Sequence, residues 1–391
     1  MVDIISKLFT VTLVALPAMN VYRSPIPSVE LGTLIILACT IFFFCLRPGV
    51  GKPEVGSLWI YLLLVFFVCT SISSIILSYN SSEYSKVFFR FVKIVIIVIS
   101  IIAFGKERFD YQLAIKALKI FSLFCAIYII IQNLGYYAFG TRILGVYFPL
   151  ASSNDYTELN AIQKMMYRPC AFFFEPAHYA AYSLVYLCWL LTHNNENYRN
   201  WQIILMVAGL LFSTSGTAFV ILPIIFIVSI LFKIKDGTIA FHNVWKYIIV
   251  FSIVVVLICL FFMSDIGSAS LGRFIEDDGS IGGAATGRLQ SGAFGLFQQL
   301  PSILQFIGCG FGSRPDDVYF PSIYAILYGD GYLGLGMFII LLTTYYMKAN
   351  QFGKMLCITY SLLFIGTGVF NFASIGLYFS LIMADIEELE I

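Results

Sequence analysis

Charge is scarce in this chain: Asp, Glu, Lys and Arg make up 12% of its 391 residues, the formal net charge is +1, and there are only 3 histidines. With so few cations and no basic face among the Lys and Arg positions, nucleic acid is excluded as a partner class. Metal-type cysteine spacing is lacking too. The nine cysteines stand at 39, 45, 69, 125, 170, 188, 259, 309 and 357, most of them inside apolar runs, where Cys behaves as a small hydrophobe. Gly308-Cys-Gly-Phe-Gly312 lacks the Gly-Lys-Ser/Thr ending of a phosphate loop. No Ser-His-Asp order stands out, and no internal repeat suggests an inverted-repeat transporter or a solenoid. Chemistry without a metal or cofactor is the expectation.

Apolar surface is what the chain has in abundance. It is 60% hydrophobic and 17% aromatic, with a mean hydropathy of +0.89, far above a soluble globular domain. Runs of membrane-spanning length recur from end to end, which predicts an all-α polytopic membrane protein forming a single membrane domain over residues 1–391. The expected spans are 4–22, 29–46, 57–77, 87–104, 114–139, 172–191, 201–212, 217–232, 245–263, 321–347 and 355–384. That makes about eleven, or about twelve if the last run breaks near Gly366 to Asn371. The first run is interrupted by Pro17 and Asn20 and has no small-x-small cleavage site, so it reads as a span and not as a cleavable signal.

Positive residues of short loops set the orientation. Arg47 and Lys52, then Lys106, Arg108, Lys116 and Lys119, then Arg199, Lys233 and Lys235, and finally Lys348 and Lys354 fall on one side if the spans alternate. That side is expected to be the cytoplasm, with the N-terminus inside. The acidic end, Asp385, Glu387, Glu388 and Glu390, leaves the C-terminus unassigned, because acidic residues weigh little in the rule. The opposite face then carries two long connections, a first external loop at 140–170 and a large one at 264–320. Cys170 and Cys309 lie near these loops, and a disulfide between them is an option that spacing does not decide. In the second loop Leu289, Ala293, Leu296, Phe297 and Leu300 share one helical face. This is a short amphipathic helix, lying in the interface or packed on the bundle.

Against this background, the stretch from Arg168 to Tyr182 stands out: it sets a cation, a carboxylate and an imidazole at the mouth of an apolar run. Pro176 suits the first turn of a helix, which places Glu175 at the cap and His178 one turn in. Tyr179 and Tyr182 follow at i+4 and i+7 from Glu175, completing a predicted polar stripe. Such a stripe is either a capping carboxylate with tyrosine anchors at the interface or a functional cluster, and ionisable groups at membrane depth favour function. Arg273 and Arg288 in the large loop join Arg168 as candidates for holding phosphate oxygens. Arg90 and Arg314 are weaker candidates, and Arg314 with Asp316 and Asp317 suits a local turn. Ser213 to Thr217 reads as a plain hairpin turn that could also meet an anion.

These residues carry a resemblance. Arg168 with Phe172-Phe-Phe-Glu-Pro-Ala-His-Tyr179 is similar to the Arg and Glu-Pro element of Wzy-type O-antigen and capsule repeat-unit polymerases, a branch of the O-antigen ligase-like superfamily. Phe212-Ser-Thr-Ser-Gly216 resembles the serine-rich turn that follows it there. Gly287-Arg288, Phe306-Ile-Gly-Cys-Gly-Phe-Gly312 and Gly331-Tyr-Leu-Gly334 resemble that family's late glycine-rich region. The motifs cover roughly residues 165 to 345.

The resemblance implies a GT-C-like bundle in the bacterial inner membrane, with its active site facing the periplasm or outside. Donor and acceptor would both be undecaprenyl-pyrophosphate-linked oligosaccharides, membrane lipid would surround the chain, and a chain-length regulator would be a further partner. Arg168, Arg273 and Arg288 would hold the pyrophosphate, with Glu175 and His178 as acid and base. Arg90, Tyr179, Tyr182 and Arg314 would be additional substrate contacts. The chain departs from the family after the second serine of the turn, where many relatives carry a basic residue, so the turn is given no catalytic role. Ligases of the superfamily use a histidine in their large external loop, and this loop has none. The rivals are an O-antigen ligase and a lipid-linked oligosaccharide flippase or transporter, the latter expected to place charges deep in several spans. A membrane sensor or scaffold leaves the Glu-Pro-x-His pattern unexplained.

Overall fold

Wherever lipid replaces water, a chain must satisfy its backbone N–H and C=O groups within itself, and a helix does so segment by segment. The structure, a computed structural model, describes residues 2–26, 29–46, 65–70, 72, 92, 109–146, 150–151, 167–193, 199–237, 292–311, 313, 315, 318–369 and 372–387. Among these the regular elements are helices, and the only strand-like pairing is one bridge between Arg23 and Glu30. In chain order they are α1 (Val2–Met19), α2 (Leu31–Leu46), α3 (Tyr111–Phe139), α4 (Pro176–Thr192), α5 (Arg199–Phe212) and α6 (Gly216–Lys235). Then come α7 (Gly292–Gln298), α8 (Ser302–Ile307), α9 (Ser322–Lys348), α10 (Gln351–Gly366) and α11 (Phe372–Glu387).

Three of these, α3, α6 and α9, are long and apolar enough to cross a membrane. This is an all-helical membrane protein. The expected span at 245–263 lies outside the described residues, as do those at 57–77 and 87–104 apart from 65–70, 72 and 92.

The residues gather into two compact units, one formed by 1–114 and 286–391 and the other by 115–285. In the first, α1 packs on α2 and on α11, while α9, α10 and α11 pack together. Aromatic rings fill that second group: Phe338 stacks on Phe364 at 4.8 Å, and Tyr360 meets Phe379 edge-on at 5.4 Å.

The last apolar run does break in two. Thr367 ends α10, its N–H and its hydroxyl both donating to Leu363 O at 2.8 and 2.7 Å. At the same end of the group, the Ser322 hydroxyl donates to Thr367 O at 2.7 Å and joins the start of α9 to the end of α10.

The other end is held by Asp385. Its Oδ2 accepts hydrogen bonds from the N–H groups of Asn350 and Gly353 at 2.8 and 3.0 Å, and the Asn350 side-chain amide donates to Asp385 O at 3.1 Å. A buried carboxylate from α11 thereby caps α10 in trans and meets the positive end of its dipole. The end of α11 consequently lies on the same side as the α9–α10 turn with Lys348 and Lys354. Removing the cap strands two backbone donors. Asp385→Ala is expected to destabilise the fold by about 2–4 kcal/mol, read as a lower melting temperature of the purified protein, with Asp385→Asn retaining part of the loss.

The stretch expected to be amphipathic contains α7, and part of its apolar side is packed on α9. Ala293, Phe297, Leu300 and Leu304 are buried with Leu327 and Tyr328 of α9. Cys170 and Cys309 are both buried, one in each unit.

The second unit is built around α4. A helix apolar on every side is a core helix, and α4 is buried along almost its whole length, packing on both α5 and α6.

Candidate functional site

The helix α4 starts where the sequence predicts. Pro176 has no N–H to leave unsatisfied at the first helical position, and Glu175 is the N-cap in an extended conformation, φ −135 and ψ 150. The Glu175 carbonyl accepts the N–H groups of His178 and Tyr179 at 3.1 and 3.2 Å. Its carboxylate makes no capping bond. The residue is half-buried, and His178, one turn further on, is exposed.

The four-residue polar stripe does not form. Tyr179 and Tyr182, expected as substrate contacts or interface anchors, are fully buried. The Tyr179 hydroxyl lies over Gly209 of α5, so close that a Cβ there would come within 2.5 Å of it. Tyr182 meets Phe121 of α3 edge-on at 5.4 Å. Only the edge of α4 at His178 is open, because neighbouring helices cover the rest.

The segment leading into α4 is held by one side chain of α3. Gln132 Oε1 accepts the Ala171 N–H at 3.0 Å, Gln132 Nε2 donates to Ile143 O at 2.9 Å, and the Tyr167 hydroxyl donates to the Gln132 carbonyl at 2.6 Å. Ala171 itself is in the left-handed region, φ 49, which reverses the chain before the aromatic run. Phe172 then stacks on Tyr128 at 4.7 Å, while Phe173 turns inward against Tyr182 at 5.3 Å. Beneath the reversal lies Gly145, with no room for a side chain: a Cβ would fall 1.6 Å from the Ala171 carbonyl oxygen.

A second arginine belongs to this place. Tyr136 stacks on Tyr167 at 4.2 Å, and the Arg142 guanidinium lies 5.6 Å from the Tyr136 ring centre. This rung connects Arg142 to the segment carrying half-buried Arg168. Burial raises the Tyr167 phenol above its ordinary range, which keeps it a donor to Gln132.

The next residue of α3 reaches the serine-rich turn. Asn133 Nδ2 donates to Phe212 O at 3.1 Å and to Ile129 O at 2.9 Å. Phe212 opens the Ser213-Thr-Ser215 turn, where Thr214 has φ 54 and Ser215 caps α6 without a side-chain bond. Consecutive amides thus fix two polar segments: Gln132 holds the approach to Glu175 and Asn133 holds the turn. Gln132, Asn133, Arg142 and Gly145 are absent from the sequence-based candidates. The amide pair had a signal, since two polar side chains inside the apolar run 114–139 are costly unless they bond something. Arg142 and Gly145 had none: Arg142 lies over Tyr136, whose own stacking partner is the distant Tyr167, and Gly145 lies under Ala171.

Gln132→Ala leaves the buried Ala171 N–H without its acceptor. The expected cost is about 1–3 kcal/mol, measurable as a fall in melting temperature.

Arg90, Arg273, Arg288 and Arg314 lie outside the described residues. Among the described residues no group of His, Cys, Asp and Glu is set to hold a metal ion. Compared with known proteins, the chain matches no protein-family model and no curated protein, so the chemistry of this site rests on its own residues.

Proposed function

We propose that the chain is a metal-independent membrane glycosyltransferase that joins undecaprenyl-pyrophosphate-linked oligosaccharide repeats into an O-antigen or capsular polysaccharide, at the outer face of the bacterial inner membrane. One observation carries the reading: Glu175, the N-cap of a core helix, keeps a partly accessible carboxylate that makes no capping bond. A general base has to be both positioned and available. The resemblance of residues 165 to 345 to repeat-unit polymerases supplies the substrate class.

In this reading an acceptor sugar hydroxyl attacks the anomeric carbon of the lipid-linked donor. Glu175 takes the hydroxyl proton while the bond from that carbon to the pyrophosphate oxygen breaks, and the electron pair leaves with the lipid pyrophosphate. Arg168 with Arg142, and Arg273 with Arg288 from the external loop, stabilise the departing charge. His178, exposed one turn beyond Glu175, orients the carboxylate or the substrate. The lipid carrier activates the glycan, so no nucleotide sugar enters. By the positive-residue rule the side bearing Lys348 and Lys354 would be the cytoplasm, and the bonds of Asp385 to Asn350 would bring the end of α11 to that side.

The test is the length of the surface glycan. Replacement of Glu175 or Arg288 by Ala at equal protein level should leave glycans of one repeat, and wild-type chain length in both variants would refute the assignment. Loss of a flippase would instead leave no surface glycan.

A further inference from the structure

The membrane-spanning helix α9 is interrupted at Gly331, φ 67 and ψ −169. A side chain there is impossible, since a Cβ would come within 2.3 Å of the Phe306 carbonyl oxygen and 2.7 Å of Gly308 N. The interruption admits the loop after α8: Cys309 N–H donates to Tyr328 O at 2.9 Å and Gly310 N–H to Gly329 O at 2.8 Å. These bonds take up carbonyls that a broken helix would otherwise leave bare.

Asp330 sits at this break and is 1% exposed. Its Oδ1 lies 2.9 Å from Thr70 Oγ1, in the helical segment 65–70. Among the described residues that hydroxyl is the carboxyl group's one hydrogen-bond partner, and no ion pair reaches it. The surroundings are apolar: Phe67 packs on Phe311 at 4.4 Å, and Phe66 lies against Gly334. Cys309 and Tyr328, the titratable side chains on the neighbouring backbone, carry no charge at neutral pH.

Thr70 has a second neighbour. Its Oγ1 is 3.1 Å from the Phe67 carbonyl, three residues back, a usual bond for a helical threonine. A hydroxyl has a single hydrogen. If it goes to an ionised Asp330, an anion is buried among apolar groups with one hydrogen bond, which is costly; a neutral acid avoids that cost whichever way the hydroxyl turns. If it goes to Phe67 O, the 2.9 Å contact needs its hydrogen from Asp330. The chain Asp330 O–H to Thr70 O–H to Phe67 O gives each of the two hydrogens an acceptor.

We propose that Asp330 is a proton-binding site: a neutral carboxylic acid that clasps the break of α9 to segment 65–70 by donating to Thr70. Loss of the proton would turn the Thr70 hydrogen away from Phe67 O to the carboxylate and leave an anion buried among apolar groups, a cost that opening the break to water relieves, which makes the break a proton-controlled hinge. The inference is independent of glycosyl transfer.

The test uses the full chain in lipid nanodiscs and infrared spectroscopy at neutral pH. The wild type should show the C=O stretch of a protonated carboxyl, missing from Asp330→Asn and shifted to higher frequency in Thr70→Val. Asp330→Asn, which keeps a donor to Thr70, should melt with the wild type, whereas Asp330→Ala should melt lower. A wild type without the band, or a band unchanged by Asp330→Asn, overturns the proposal. So does a sodium-dependent rise in melting temperature that Asp330→Asn abolishes without any such band, which would mark a cation site instead.

Discussion

Gly145→Ala is expected to prevent residues 141–145 from closing on 167–173. The added Cβ would lie 1.6 Å from the Ala171 carbonyl oxygen and 2.5 Å from its carbon. Both are backbone atoms, so no rotamer change relieves the clash. Overpacking ordinarily costs 1–3 kcal/mol, occasionally more, and a clash with fixed backbone belongs at the upper end, about 3 kcal/mol or more. Activity should disappear with it, although Glu175 and His178 are untouched. Gly295→Ala is the control: it lies in α7 with open space around its Cβ position, and alanine there should be neutral or stabilising by up to about 1 kcal/mol. Equal melting temperatures for the two variants would contradict the packing of this segment.

Glu175→Gln is expected to reduce chain extension by about 10²- to 10⁴-fold, the usual contribution of a general base. Its melting temperature should stay at the wild-type value, because the carboxylate makes no capping bond in the fold. This split distinguishes a base from a structural cap: a cap would lose stability along with activity. His178→Ala should cost less, since an exposed imidazole acts on the reaction through its neighbours. A Glu175→Gln protein of full activity would remove the carboxylate from the chemistry and leave Arg168 and Arg142 as mere binding groups.

The parts of the fold governed by local rules were legible in the sequence. Pro176 marks the first turn of α4 and Glu175 its cap, and the interruption near Gly366 does divide the last apolar run. The misses arise from tertiary contacts. Spacing alone puts Glu175, His178, Tyr179 and Tyr182 on one face, yet the helices around α4 enclose both tyrosines and leave only His178 exposed. Asp385 reads only as part of an acidic end that does not fix the C-terminus, but α10 starts beside it and takes it as a cap. Asp330 sits in a glycine-flanked motif whose break depends on the loop at 308–310, far away in sequence. Gln132 and Asn133 could have been singled out as costly amides in an apolar run, though not the segments they hold. Asp385, Asp330, Gln132 and Asn133 are each explained by a partner, and the partner is what a one-dimensional pattern omits.

The central claim is that this chain joins lipid-linked repeats, and the direct measurement is a reaction of the purified protein with one defined undecaprenyl-pyrophosphate-linked repeat in nanodiscs. The account predicts products of two and more repeats with release of lipid pyrophosphate, and only unreacted single repeats from Glu175→Gln. Unreacted substrate with folded wild-type protein, or movement of the substrate across a liposome bilayer without any joining, would contradict it.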